Sequence, residues 1–201
     1  MLASAIAMHD VELILADCDG PSLEKARGEL QAQGMFCDTQ SMSSVEIFEA
    51  QFRERFDSLH MLVNAAERGH SRILATIRMS TVLLPVLRRT PGTKAIVNVA
   101  TDEDAGTSFP LHYSCRPEAT THYSSHLQAM VKGSAISVAT IRHKGTHSLD
   151  KHFRAISPLL ARVIADAYPD IGEGERHHAH RRSPPGSSFF LCERPRPLRR
   201  A

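Results

Sequence analysis

No run of apolar residues in this sequence approaches the roughly 20 that a membrane-spanning helix needs. Cysteine is sparse: four residues, at 18, 37, 115 and 192, with no CxxC spacing among them. Reduced, packed thiols in a cytoplasmic protein are therefore expected in preference to a disulfide framework. The stretch Met1–Met8 is apolar but short and has no basic start, so it does not read as a secretory signal. The histidines at 177, 178 and 180 have no cysteine or acidic framework to complete a structural zinc site. They are read as solvated, and no metal is expected. The Arg/Pro-rich end ERPRPLRRA has no interleaved aromatics, which argues against nucleic acid as a partner.

What is present is enough chain for one domain. The 201 residues and a hydrophobic fraction of 42% suit a single sizeable core. Charge is unevenly placed. Of 24 lysines and arginines, seven arginines fall in 172–201, leaving 17; of 22 acids, three fall there, leaving 19. A mildly acidic body at 1–171 thus carries a basic, Pro/Arg-rich tail at 172–201, which is expected to be disordered.

Within the body, strand-like and helix-like stretches alternate. Val11–Asp17 (VELILAD) reads as a strand, and Ser22–Gln33 as a helix with Ser22 as N-cap and Gly34 as its stop. Met35–Thr39 is a short strand. The next helix starts at Ser43 or Ser44 and runs to Phe56, with Val45, Phe48, Phe52 and Phe56 on one face. Met61–Ala66 is a strand and Arg72–Arg89 a long helix, with a kink expected at Pro85. Lys94–Ala100 (KAIVNVA) has the β-branched, apolar character of a buried parallel strand, followed by a loop over Thr101–His112. A helix then reaches Met130, Ala135–Arg142 is a sixth strand-like run, and Leu149–Ala167 is a helix containing Pro158. Strands alternating with helices predict a doubly wound α/β domain with a parallel, Rossmann-like sheet, whose ligands sit at the carboxyl ends of the strands.

The order hydroxyl, loop, tyrosine, helix over Lys94–Met130 resembles the catalytic segment of the short-chain dehydrogenase/reductase family. There a serine after the fifth strand precedes a YxxxK motif. Thr101 stands where that serine would be, twelve residues before Tyr113. Pro117 stands where the lysine would be, and Arg116 is the nearest cation. Asn64-Ala65-Ala66-Glu67 is similar to the family's NNAG, and Cys37-Asp38 to its strand-ending aspartate. The resemblance covers roughly residues 1–142. It implies hydride transfer between a nicotinamide cofactor and a small alcohol or carbonyl substrate. Tyr113 would be the acid/base, Thr101 would orient the substrate, and Arg116 would give partial electrostatic support. Asp17, Asp38 and Asn64 would surround the cofactor. An aspartate at the end of the first visible strand disfavours a 2′-phosphate, so NAD is expected over NADP.

The same resemblance implies losses. The family opens with a strand and a TGxxxGxG loop whose amides hold the pyrophosphate; here Met1 would begin inside the helix after that loop. Weak or absent turnover is therefore expected. Without the first strand, edges at the sheet centre would be exposed, so the sheet is expected to rearrange or to pair with another chain. The rival reading is a non-catalytic α/β interaction or regulatory protein. Either way, residues 72–89 and 118–130 would form a homo-oligomer surface, as in the family. Four of the site residues also have a plainer role: Asp17 and Asp38 as turn or capping residues, Asn64 as a satisfied strand-end amide, Tyr113 as a packed or surface tyrosine.

Overall fold

The computed structural model describes residues 6–7, 11–65, 72–102, 117–144, 158–159, 161–163 and 188–192. In chain order the elements are β1 (Glu12–Asp17), α1 (Gly20–Leu30), β2 (Gln33–Phe36), α2 (Met42–Arg55), β3 (Met61–Asn64), α3 (Arg72–Arg89), β4 (Lys94–Asp102), α4 (Pro117–Met130), β5 (Ile136–Lys144) and β6 (Ser188–Cys192). The six strands form one sheet in the order β2-β1-β6-β3-β4-β5. β1 and β2, β3 and β4, and β4 and β5 pair in parallel. This is the doubly wound α/β arrangement that the alternation predicts.

One strand departs from the expected all-parallel sheet. β6 lies between β1 and β3 and is antiparallel to both. Phe190 sits opposite Ile14 on one side and Leu62 on the other. The disordered tail expected over 172–201 is thus corrected at Ser188–Cys192, which is a central strand. The reason is local chemistry inside a basic surround: Ser-Phe-Phe-Leu-Cys is a short apolar run of strand length. A vacant position between β1 and β3 offers it ladder partners on both sides.

Helices cover both faces. On one, Val45, Phe48 and Phe52 of α2, Leu83 and Leu87 of α3 and Leu127 of α4 pack over Ile14, Leu62 and Ile96 of the sheet. On the other, Leu23 and Ala26 of α1, with Ile6 and Val163, cover Leu13, Leu15, Val63 and Val97. The apolar face predicted for α2 is the buried one: Val45, Phe48 and Phe52 are all fully buried. Among the described residues, no helix is long and apolar enough to cross a membrane.

Several helix ends differ from expectation by a few residues. α1 begins at Gly20 with Asp19 as N-cap; the Ser22 hydroxyl donates to Asp19 Oδ2 at 2.6 Å, so Ser22 supports the cap without being it. α1 ends at Gln31, which takes the left-handed conformation (φ 52°) that Gly34 was expected to provide. Gly34 lies instead in β2. α2 is capped by Ser41, whose side chain accepts from the Ser44 amide. α3 runs through Pro85 without ending, and Pro117 opens α4 at the position where a missing amide costs least. β4 extends to Asp102, so Thr101 is a strand residue and not the start of a loop. Of the helix expected over 149–167, residues 158–159 and 161–163 are described and are helical.

Candidate functional site at the carboxyl edge of the sheet

In a doubly wound sheet the chain works outward from the centre in both directions, and ligands bind where that direction reverses. Here β1 leads outward to β2, and β3 leads outward to β4 and β5. The switch point lies between β1 and β3, where β6 stands. Asp17 ends β1, Asp38 follows β2, Asn64 ends β3 and Thr101 lies near the end of β4, so all four belong to the carboxyl edge.

β6 divides them into two groups. Asp17 and Asp38 are close, because the Cys37 amide donates to the Asp17 carbonyl at 3.0 Å. Asn64 belongs to the far side of β6, about two strand spacings or 9.5 Å from β1. Thr101 is three residues beyond Asn98, the register partner of Asn64, which places it about 10 Å further along β4. Tyr113 and Arg116 lie outside the described residues.

The acidic pair is built into turns. Asp17 Oδ1 accepts from the Asp19 amide at 3.0 Å. Asp38 Oδ1 accepts from the Gln40 amide at 2.9 Å, while the Asp38 amide donates to Ser44 Oγ at 2.9 Å. Both are Asx-type turns in which the carboxylate stands in for a backbone acceptor. Two thiols share this corner. Burial, then the Asp17 and Asp38 carboxylates, hold the exposed Cys18 thiol above its usual range. Burial first, then Asp38 and Cys18, push the Cys37 thiol up to about 12. Cys37 is buried with its sulfur 3.9 Å from Met79 Sδ.

Asn64 heads a buried polar chain that the sequence reading did not contain. Its Nδ2 donates to Asn98 Oδ1 at 2.8 Å and to Ser80 Oγ at 3.1 Å. Asn98 Nδ2 donates to Ser124 Oγ at 2.8 Å, and Ser124 donates to the Thr120 carbonyl at 2.8 Å. The chain ties β3 to β4 and both to α3 and α4. Ser80 and Thr81 also bond to the Tyr123 hydroxyl; burial nonetheless raises the phenol above its ordinary value. The only signal in the sequence was Asn98 itself, an amide inside the apolar run KAIVNVA. Asn98→Ala is expected to cost about 1–3 kcal/mol for each buried group it leaves unpaired. An unchanged urea midpoint for that variant would mean that the amide chain does not hold the helices to the sheet.

These residues can be tested against a dinucleotide. A pyrophosphate needs clustered amide donors at a helix N-terminus. At α1 the carboxylate of Asp19 already accepts from the Ser22 amide and hydroxyl. Asp17, Asp19 and Asp38 place three carboxylates at that corner. β6 is reversed, so its N-terminal end meets the carboxyl edge and the chain leaves it at the opposite edge. No loop and helix can therefore follow it at the switch point. Among the described residues, none forms a cradle for the pyrophosphate; Asn64 Nδ2 is committed to the buried chain, while Asn64 Oδ1 is buried with no hydrogen-bond partner.

No family model matches the chain, and no curated protein sequence matches it. Solved structures do. L-sorbose reductase from Gluconobacter frateurii, complexed with NADPH and L-sorbose, is 20% identical at a TM-score of 0.58, covering 70% of this chain and 63% of that one. A short-chain dehydrogenase/reductase from Burkholderia phymatum in complex with NAD is 18% identical at a TM-score of 0.60, covering 89% and 68%. An alcohol dehydrogenase from Thermococcus sibiricus is 18% identical at a TM-score of 0.58, covering 79% and 84%. In the doubly wound order 3-2-1-4-5-6, β1 to β5 take positions 2 to 6. The fold of this chain is that of the short-chain dehydrogenases/reductases, with its own C-terminal strand, reversed, at the central position.

Proposed function

We propose that this chain is an oxidoreductase homologue of the short-chain dehydrogenase type whose nicotinamide-dependent activity is weak or lost. The similarity to reductases and dehydrogenases solved with NAD or NADPH supports the ancestry. The reversed β6 at the switch point is the observation that carries the loss, since no phosphate loop can continue from it at the carboxyl edge. On this reading Tyr113, Thr101 and Arg116 are remnants of machinery for a small alcohol or carbonyl substrate. Any residual cofactor preference is for NAD, through Asp17. The proposed compartment is the cytoplasm, which suits the free thiols of Cys18 and Cys37.

A second reading, a non-catalytic interaction protein, draws support from the same strand. Its association surface would be α3 and α4. The exposed positions there include Thr81, Arg88, His122, Ser125 and His126. Such a surface suits a polar, reversible interface more than an obligate one.

Thermal unfolding with and without millimolar NADH or NADPH tests the proposal. A ligand that binds only the folded state adds RT ln(1 + [L]/Kd), about 2.7 kcal/mol at a hundredfold excess over Kd. No shift is expected with either cofactor. A rise of several degrees, larger with NADH, would restore the enzyme reading and place Asp17 at the ribose.

A further inference from the structure

The corner where β1 and β2 end carries two of the four cysteines, and neither has a part in the proposed function. Strand register decides how they are placed. Ala16 lies opposite Met35, and Asp17 opposite Phe36, in the parallel β1–β2 pair. The Cys37 amide bond to the Asp17 carbonyl closes the last rung of that ladder. Cys18 and Cys37 are the residues that follow it on each side.

Side-chain direction follows from alternation along a strand. Ile14, Ala16, Met35 and Cys37 all belong to the apolar cluster under α2, α3 and α4. Leu13 and Leu15 belong to the opposite cluster. Two residues beyond Ala16, Cys18 falls on the same face as Cys37. Adjacent strands lie about 4.8 Å apart, inside the range of roughly 4.4–6.8 Å between Cα atoms that a disulfide spans. Cys18 sits just past the last residue of β1, where the Asp17–Asp19 turn bends the chain, so its backbone is outside the ladder and has room to adjust.

We propose that Cys18 and Cys37 are an oxidisable pair that closes to an intramolecular disulfide in the presence of hydrogen peroxide. The exposed Cys18 reacts first: its thiolate attacks the peroxide O–O bond, forming a sulfenic acid and releasing water. The Cys37 thiol then attacks the sulfenic sulfur, the S–O bond breaks, a second water leaves and the S–S bond forms. Two thiols are oxidised and one hydrogen peroxide is reduced. Burial, then the carboxylates of Asp17, Asp38 and Asp19, disfavour the Cys18 thiolate, so the first step is slow at neutral pH. Closure swings the Cys37 sulfur away from Met79 and fastens β1 to β2 across the loop that contains α1. The pair is independent of any nicotinamide chemistry.

The test is hydrogen peroxide treatment of the full chain, followed by alkylation of free thiols and peptide mapping without reductant. The expected product is a Cys18–Cys37 cross-linked peptide, reversed by reductant, in a protein that melts at higher temperature than the reduced form. Cys18→Ser alters an exposed position and should leave Cys37 unmodified. Cys37→Ser should leave Cys18 as a sulfenic acid trapped by a dimedone probe. The proposal is overturned if Cys18 pairs with Cys115, Cys192 or a second chain, or if it advances to sulfinic acid while Cys37 stays reduced. The map of the unsubstituted chain decides the matter even if Cys37→Ser does not fold.

Discussion

Deletion of residues 184–201 is expected to abolish cooperative unfolding of the 201-residue chain. β6 pairs with five residues of β1 and three of β3, and β1 and β3 do not pair with each other. Without it the sheet falls into two parts, β2-β1 and β3-β4-β5, each with an unpaired inner edge. The gap is two strand spacings, about 9.5 Å, too wide for direct hydrogen bonds. It cannot close by simple translation, because the helices on both faces are packed across it. Inner edges with unpaired N–H and C=O groups also invite association with other chains. The expected observation is loss of the near-ultraviolet signal and binding of a hydrophobic dye, with soluble aggregates. Phe190→Pro tests the same point with one residue, because a central strand tolerates proline poorly. A truncated chain with a sharp transition near that of the full chain would remove β6 from its structural role. The proposed loss of activity would then lose its main support.

Phe52→Ala is expected to destabilise the core strongly. Phe52 is fully buried in the α2 face, with Phe48 and Phe56 on either side at ring-centroid distances of 5.9 and 5.0 Å. The rings are tilted by 37° and 44°, an arrangement that aromatic pairs favour over face-to-face stacking. Truncation removes the central ring of three and leaves a cavity between α2 and the sheet. A loss of about 3–5 kcal/mol is expected, a large part of the roughly 5–15 kcal/mol that holds a domain folded. The denaturant midpoint should fall accordingly with the slope unchanged. A loss below about 1 kcal/mol would mean that Phe48 and Phe56 close the space.

How far these features were legible in the sequence depends on the range of the interactions. Phe48, Phe52 and Phe56 announce a helix face because their spacing is local. Ile96 and Val97 announce a buried strand for the same reason. Asp17 ends β1 as expected, while β2 stops at Phe36 and leaves Asp38 two residues beyond it; two readings fit both aspartates, and their turn bonds appear only once the neighbouring amides are in position. Asn98 was passed over because its partners, Asn64 and Ser124, lie 34 and 26 residues away. β6 is the extreme case. The need for something at the sheet centre was readable, since the resemblance lacked a first strand. The solution was not, because Phe190 meets Ile14 from the other end of the chain and its surroundings are basic and rich in proline. Composition describes a neighbourhood in sequence, and a ladder between residues 14 and 190 has none.

The position of β6 also sets the order in which this protein can be completed during translation. Domains generally acquire structure from the N-terminal side as the chain is made. Here the residues that join the two halves of the sheet are synthesised after every other strand. Until Ser188–Cys192 clear the ribosome, β1 and β3 must wait with open edges, a period in which chaperones or neighbouring nascent chains compete for them. A message that stops before the codon for Ser188 therefore yields no smaller version of this domain, only its two unjoined parts.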